Sequence, residues 1–246
     1  HLIYLLFSVF AFTACNDFSK NKSEDSTKEL TQDSNKLSEE ALLDTVQKQT
    51  LKYFWDFAEP NSGMARERYH PNGDYAKNDP DIVTTGGSGF GLMAIIAGIE
   101  RGFIPRDEAV QRLDKIATFL EETPKYHGAF PHWINGRTAG TQEFGSDSKD
   151  NGGDIVETSF LAQGFIVVRQ YLQDGNEEEK AVAAKFDKLW QNIDWDWYTN
   201  NKNGIFWHWS PDYEFEKNFM IEGYNECLIT YIMAASSPQH AIKPEV

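Results

Sequence analysis

Three segments of this chain are apolar on nearly every side: "FGLMAIIAGIERGF" from Phe90, "DIVETSFLAQGFIVVRQYL" from Asp154 and "EGYNECLITYIMAAS" from Glu222. A helix with no polar face cannot lie on a surface and must be covered all round. Between these segments run "PRDEAVQRLDKIATFLEE" and "NEEEKAVAAKFDKLWQNI", whose apolar residues recur at helical spacing on one side only. The buried segments begin near Gly89, Asp154 and Gly223, a repeat of about 65–70 residues. Long loops rich in Gly, Asn, Asp, Pro and aromatics precede each of them. Inner helices covered by outer ones, with long loops at one rim, describe a ring of helical hairpins. The expected class is all-α, an incomplete toroid with about three of six hairpins present. The chain ends at "HAIKPEV", which reads as mid-loop. It therefore has the pattern of the N-terminal half of a larger barrel, over residues 38–246. A complete three-hairpin domain is the alternative.

The N-terminal residues read differently. "HLIYLLFSVFAFTAC" is too short to span a bilayer and fits the apolar core of a signal peptide. The "FTAC" ending resembles a bacterial lipoprotein cleavage box, which implies lipidation at Cys15 of a chain whose signal, residues 1–15, has a clipped start. A plain signal peptide is the simpler reading. Residues 16–37 are polar and charged, and are expected to be a flexible tether. Ser38 is placed to cap a first helix, with Glu39 and Glu40 in its first turn. Leu43, Val46, Tyr53 and Phe57 form its apolar stripe, and it should stop before Pro60. These features predict an exported protein, lipid-anchored in the periplasm or on the outer membrane.

The chain carries a formal charge of −15 over 246 residues. Such a chain is a poor partner for nucleic acid, which needs clustered Lys and Arg. Membrane contact is expected only through the lipid anchor, and the protein is expected to be a monomer. The second cysteine, Cys227, sits in an apolar helix pattern and reads as a small buried hydrophobe. "TTGGSGFGLMA" matches neither a dinucleotide fingerprint nor a phosphate loop, and Phe90 breaks the serine-hydrolase elbow. Its glycines read as sites of close helix approach. The six histidines lack metal-ligand spacing, and "GSDSKDNGGD" misses the calcium-loop pattern. No metal and no cofactor are expected.

One constellation survives. Asp150, Asp154 and Glu157 crowd the start of the second buried helix, with Asp154 and Glu157 on one face. Helix capping accounts for one or two of them. It accounts less well for Glu226, which lies 69 residues after Glu157 at the start of the next buried helix. Ring geometry would turn Glu157 and Glu226 into one cleft. Pairing of such a Glu with Arg66 or Arg68 is the structural alternative, and Arg66 is also a binding candidate. The preceding loops hold His132 and Trp133, then Trp207, His208 and Trp209. Aromatic faces stack on sugar rings, while carboxylates and imidazoles bind hydroxyls. A glycosidic bond is commonly cleaved by a carboxylic acid that protonates the leaving oxygen, with a second carboxylate activating water or attacking carbon. Glu226, beside Cys227 and Leu228, is expected to be held protonated by apolar surroundings. A non-catalytic glycan-binding lipoprotein and a helical scaffold are the competing readings.

"YFWDFAEPNSGMARER", "TTGGSGFGLMAI", "HGAFPHWING", "DNGGDIVETSF" and "GYNECLITYIMAASSP" together resemble the glucoamylase-like family of Bacteroidetes, over about residues 40–246. That family includes the endo-β-1,2-glucanases of glycoside hydrolase family 144. The resemblance implies an (α/α)6 toroid and an inverting hydrolase of β-1,2-glucan, with a glucoamylase-type α-glucan hydrolase as the alternative. It implies that Glu226 is the essential Glu and candidate general acid. Asp150, Asp154 and Glu157 then match the family's other important acids. The resemblance leaves the general base unassigned within this stretch, and half a toroid is expected to be inactive by itself.

Overall fold

The structure, a computed structural model, describes residues 37–75, 79–143 and 149–246. Cys15, the signal and nearly all of the tether lie outside the described residues. Six helices dominate: α1 Glu39–Trp55, α2 Thr85–Glu100, α3 Arg106–Glu122, α4 Ile155–Leu172, α5 Glu177–Gln191 and α6 Leu228–Ser236. The fold is mostly α-helical, as expected, but it also holds small sheets. Strands β1 Ile82–Thr84, β2 Trp133–Asn135 and β3 Thr141–Gln142 form an antiparallel three-stranded sheet in that order. Strand β4 Gly153–Asp154 pairs with β5 His208–Trp209. No helix among the described residues is long and apolar enough to cross a membrane.

The apolar and amphipathic segments sort as their sequences require. α3 buries Val110, Leu113, Ile116 and Leu120 along one side, and α5 buries Val182, Phe186, Leu189 and Trp190. These two helices pack on each other, and α4 packs against α2, α5 and α6. The start of α5 is fixed by a capping box, in which Asn176 accepts from the Glu179 N–H and Glu179 accepts from the Asn176 N–H. Glu179 also takes the Arg106 guanidinium at 2.6 Å, which ties α3 to α5.

α2 and α4 approach most intimately, and glycine makes this possible. A Cβ on Gly89 would stand 2.1 Å from the Phe160 carbonyl oxygen, and one on Gly164 would stand 2.7 Å from the Gly89 carbonyl oxygen. Both obstacles are backbone, so neither can swing aside. Gly86, Gly89 and Gly91 of "GGSGFG" thus serve helix contact, as their context suggests. Gly89→Ala is expected to destabilise the domain by about 3 kcal/mol or more, the upper range for overpacking a core. Urea unfolding of the two proteins measures this, with a midpoint shift at unchanged slope.

Two expectations are corrected. The apolar stripe assigned to α1 is only partly used. Leu43 and Val46 are 60% and 53% exposed, and burial falls at Leu51. The C-terminal half of α1 packs into α2, where Phe54 and Leu51 fill the space over Gly91 and Gly98, while nearer its start Asp44 reaches only the Arg101 guanidinium at the end of α2. The third apolar helix also starts late. Gly223 has a φ of +83° and stands in a turn, and α6 begins only at Leu228. α2 starts early by contrast, at Thr85, because β1 runs straight into it. Likewise β4 ends at Asp154, directly before α4. The small sheets therefore gather their side chains at the N-terminal ends of α2 and α4.

Candidate active site

Asp154 organises this end of the molecule. It is fully buried and caps α4, with Oδ1 accepting from the N–H groups of Val156 and Glu157 at 3.0 and 2.9 Å. Its other oxygen, Oδ2, is 2.8 Å from His132 Nδ1 and accepts from the Trp207 indole N–H at 2.7 Å. One carboxylate thus satisfies a helix start and aims two side chains. The backbone of His132 is held in turn, because its carbonyl accepts from the Thr85 N–H. The Trp207 carbonyl accepts from the Ile155 N–H at 3.0 Å, while its own N–H donates to Phe219 at 2.9 Å.

His132 and Trp207 open onto a cleft of about 680 Å³. Its polar lining comes from His132, Glu157, Glu222, Asn225 and Glu226, and Trp207, Phe219 and Ile221 supply much of the apolar wall. Glu157 and Glu226, one repeat apart in sequence, share this cleft as the spacing suggested. Glu157 Oε2 accepts from the Gly86 N–H at 2.9 Å, so the first turn of α2 steadies it. Neither Arg66 nor Arg68 pairs with these acids. Arg66 donates from Nε to the Phe57 carbonyl and from its guanidinium to that of Pro80, and Arg68 lies 3.5 Å from Glu67.

The burial expected of Glu226 falls on Glu157. Glu226 is exposed, in the turn before α6. Burial raises the Glu157 pKa above the usual carboxylate value, and the nearby Asp154 charge raises it further, against the opposing pull of His132 and the Gly86 hydrogen bond. His132 is also held above its ordinary value. Burial alone would lower it, but the Asp154 hydrogen bond and the charges of Asp154, Glu157 and Asp150 prevail.

The sign for stability follows from the direction of the Glu157 shift. Its folded pKa lies above the ordinary value of 4.5, so the fold favours its neutral form. Its stabilising contribution is complete below that value and is lost as pH rises through the folded one. Glu157→Gln is permanently neutral and keeps an acceptor for Gly86. It is expected to gain a few degrees of Tm at neutral pH, on a scale of about 2–4 °C per kcal/mol. The gain should vanish in acid. Thermal unfolding of both proteins across pH checks this, and a gap that widens in acid would contradict it.

Asp150 is buried, with Oδ1 3.2 Å from His208 Nε2 and Oδ2 3.9 Å from Lys217 Nζ. His208 is buried with it and does not line the cleft, since it lies on the opposite side of its strand from Trp207. Trp209 packs edge-on to His127 at 4.6 Å, away from the cleft lining. Trp133 stands next to His132, but its indole N–H donates to Glu67 Oε2 at 3.0 Å. Sequence reasoning missed Glu222, Asn225 and Phe219. Glu222 lies four residues before Glu226 on the same loop, a second acid that this spacing could have flagged. Among the described residues, no group of three His, Cys, Asp or Glu side chains could hold a metal ion.

Residues 45–196 match the family model described as Protein of unknown function (DUF3131). The chain belongs to this DUF3131 family. This DUF3131 chain is 46% identical over 232 residues to the exo β-1,2-glucooligosaccharide sophorohydrolase (non-reducing end) of Parabacteroides distasonis, covering 94% of the chain and 31% of that protein. It is 55% identical to the endo-β-1,2-glucanase of Chitinophaga pinensis, solved with sophorotriose and glucose, at a TM-score of 0.83 over 85% of this chain and 50% of that one. It is 48% identical to the solved β-1,2-glucanase of Parabacteroides distasonis, at a TM-score of 0.79 over 85% of this chain and 29% of that one. The DUF3131 chain thus spans half or less of the length of these relatives. The motif resemblance to the glucoamylase-like proteins of Bacteroidetes is borne out by them.

Proposed function

We propose that this chain carries the acid site of a glycoside hydrolase that cleaves β-1,2-linked glucan. One observation carries the reading: Glu157 and Glu226, from two successive helix starts, line one cleft with His132 and Trp207. The names of relatives at 46–55% identity support the substrate class. Glu226 is the proposed proton donor. A glucan filling the cleft strips water from its carboxyl, and desolvation favours the neutral, donating form. Glu157, already biased toward that form, donates a hydrogen bond to a sugar hydroxyl. Asp154 acts through others, holding His132 and Trp207 in place. Hydrolysis proceeds with inversion, as protonation of the leaving oxygen coincides with attack by a water activated by a base.

The proposed architecture is the N-terminal half of an (α/α)6 toroid. The exposed apolar side chains Leu43 and Val46 on α1 and Leu228 and Ile232 on α6 support it, as does the match to half of the Chitinophaga pinensis chain. Export with a lipid anchor at Cys15, and a monomeric state, belong to the same proposal and rest on the N-terminal sequence and the resemblance.

The test is to incubate the full-length protein with linear β-1,2-glucan, β-1,3-glucan and starch, and to separate the products by chromatography. Oligosaccharides from β-1,2-glucan alone are the expected result. Glucose from starch would make it an α-glucan hydrolase, and binding without products would make it a glycan-binding protein. Either outcome overturns the reading.

A further inference from the structure

Lys217 does not line the cleft, yet it touches what shapes it. Its ammonium lies 5.1 Å from the centre of the Trp207 ring, within cation–π range. The same ammonium is 3.9 Å from Asp150 Oδ2, long for a direct hydrogen bond. Asp150 is buried and also faces His208 at 3.2 Å. A buried carboxylate needs compensating charge, and Lys217 contributes to it from 3.9 Å while its ammonium lies over an indole.

Trp207 is then restrained in three ways. Its N–H is fixed by Asp154 at 2.7 Å. Phe219 meets it edge-on, with ring centres 6.2 Å apart. Lys217 covers part of its face from outside the cleft. We propose that Lys217, held by the buried Asp150, is a positioning residue that braces Trp207 so that the indole presents a fixed surface to a sugar ring in the cleft. Preorganising an aromatic surface lowers the cost of binding without touching the reacting atoms. The effect should therefore appear in KM and spare kcat. This rests on the proposed hydrolysis of β-1,2-glucan.

The test compares full-length wild type with Lys217→Met, which keeps bulk and loses charge, and Lys217→Arg, which keeps charge. Two readouts are taken. Near-UV circular dichroism of the free proteins, referenced to Trp207→Phe, reports the indole environment and needs no substrate. Kinetics on linear β-1,2-glucan then split KM from kcat. Lys217→Met is expected to lose most of the Trp207 signal and to raise KM about tenfold, with kcat within about twofold and with Lys217→Arg restoring both. An unchanged Trp207 signal in Lys217→Met overturns the proposal, and so does a changed signal with unchanged KM. Absence of wild-type turnover on this glucan would instead refute the hydrolase reading, while the dichroism still decides whether Lys217 braces the ring.

Discussion

Glu226→Gln in the full-length protein is expected to lower kcat on β-1,2-glucan by about a thousandfold, within the 10²–10⁴ range of general acid catalysis. KM should stay within about threefold. The amide has the shape of the carboxylic acid and can hydrogen-bond a sugar, but it has no proton to give to the glycosidic oxygen. Loss of kcat with binding retained is the signature of an interaction made in the transition state. Glu226 is exposed in a turn, so folding should be nearly unaffected, with stability within about 0.5 kcal/mol of wild type. Steady-state kinetics and a melting curve on one preparation check both halves. A variant that retains more than a tenth of wild-type kcat would remove Glu226 from the chemistry and shift attention to Glu157 and Glu222 in the same cleft.

Asp154→Ala is the most damaging substitution expected at the site, by a different route. Four donors converge on this carboxylate: two backbone N–H groups, His132 and Trp207. Removing it strips the cap of α4, worth about 1 kcal/mol, and leaves buried donors unsatisfied at about 1–3 kcal/mol each. A total loss of about 3–5 kcal/mol is expected, the range for breaking a buried charged network. Activity should fall with it, because His132 and Trp207 lose their aim. Asp154→Asn separates the two effects. Asn caps helices nearly as well as Asp, so much of the stability should return. Its amide nitrogen cannot accept from both the indole and the imidazole, so activity should not return. In this variant the His132 pKa should fall, since burial then outweighs the weakened support that now holds it up. An NMR titration of His132 reads this directly, and an unmoved titration would show that Asp154 does not govern it.

How much of this could be read from the sequence follows from the length scale of each feature. Helices α2 to α5 span 15–18 residues each, long enough for periodicity to declare both their presence and their degree of burial. The cap at Asp154 and the shared cleft of Glu157 and Glu226 follow from that periodicity, since successive helix starts return to one rim. The strands were not legible, because two or three residues carry no alternation. Without them the facing of "FWHWS" could not be known: β5 places His208 on the buried side, leaves Trp209 against His127, and only Trp207 reaches the cleft. Arg66 lies outside the cleft lining and its guanidinium goes to the backbone carbonyls of Phe57 and Pro80, and acceptors of that kind have no sequence signature. The stripe on α1 failed because periodicity marks an apolar face without naming what covers it. For Glu226, apolar neighbours in sequence implied burial, but the turn at Gly223 delays α6 and leaves the carboxyl at the cleft surface.

On the proposed function, glucan is cut in the cleft between Glu157 and Glu226. The most direct measurement is a crystal structure of the full-length Glu226→Gln protein soaked with a β-1,2-linked glucose oligomer too slow to be hydrolysed. Sugar density is expected in that cleft, with a ring against Trp207, a hydroxyl at Glu157 and a glycosidic oxygen within hydrogen-bond reach of residue 226. An oligomer bound at full occupancy elsewhere, with this cleft holding only water, would contradict it.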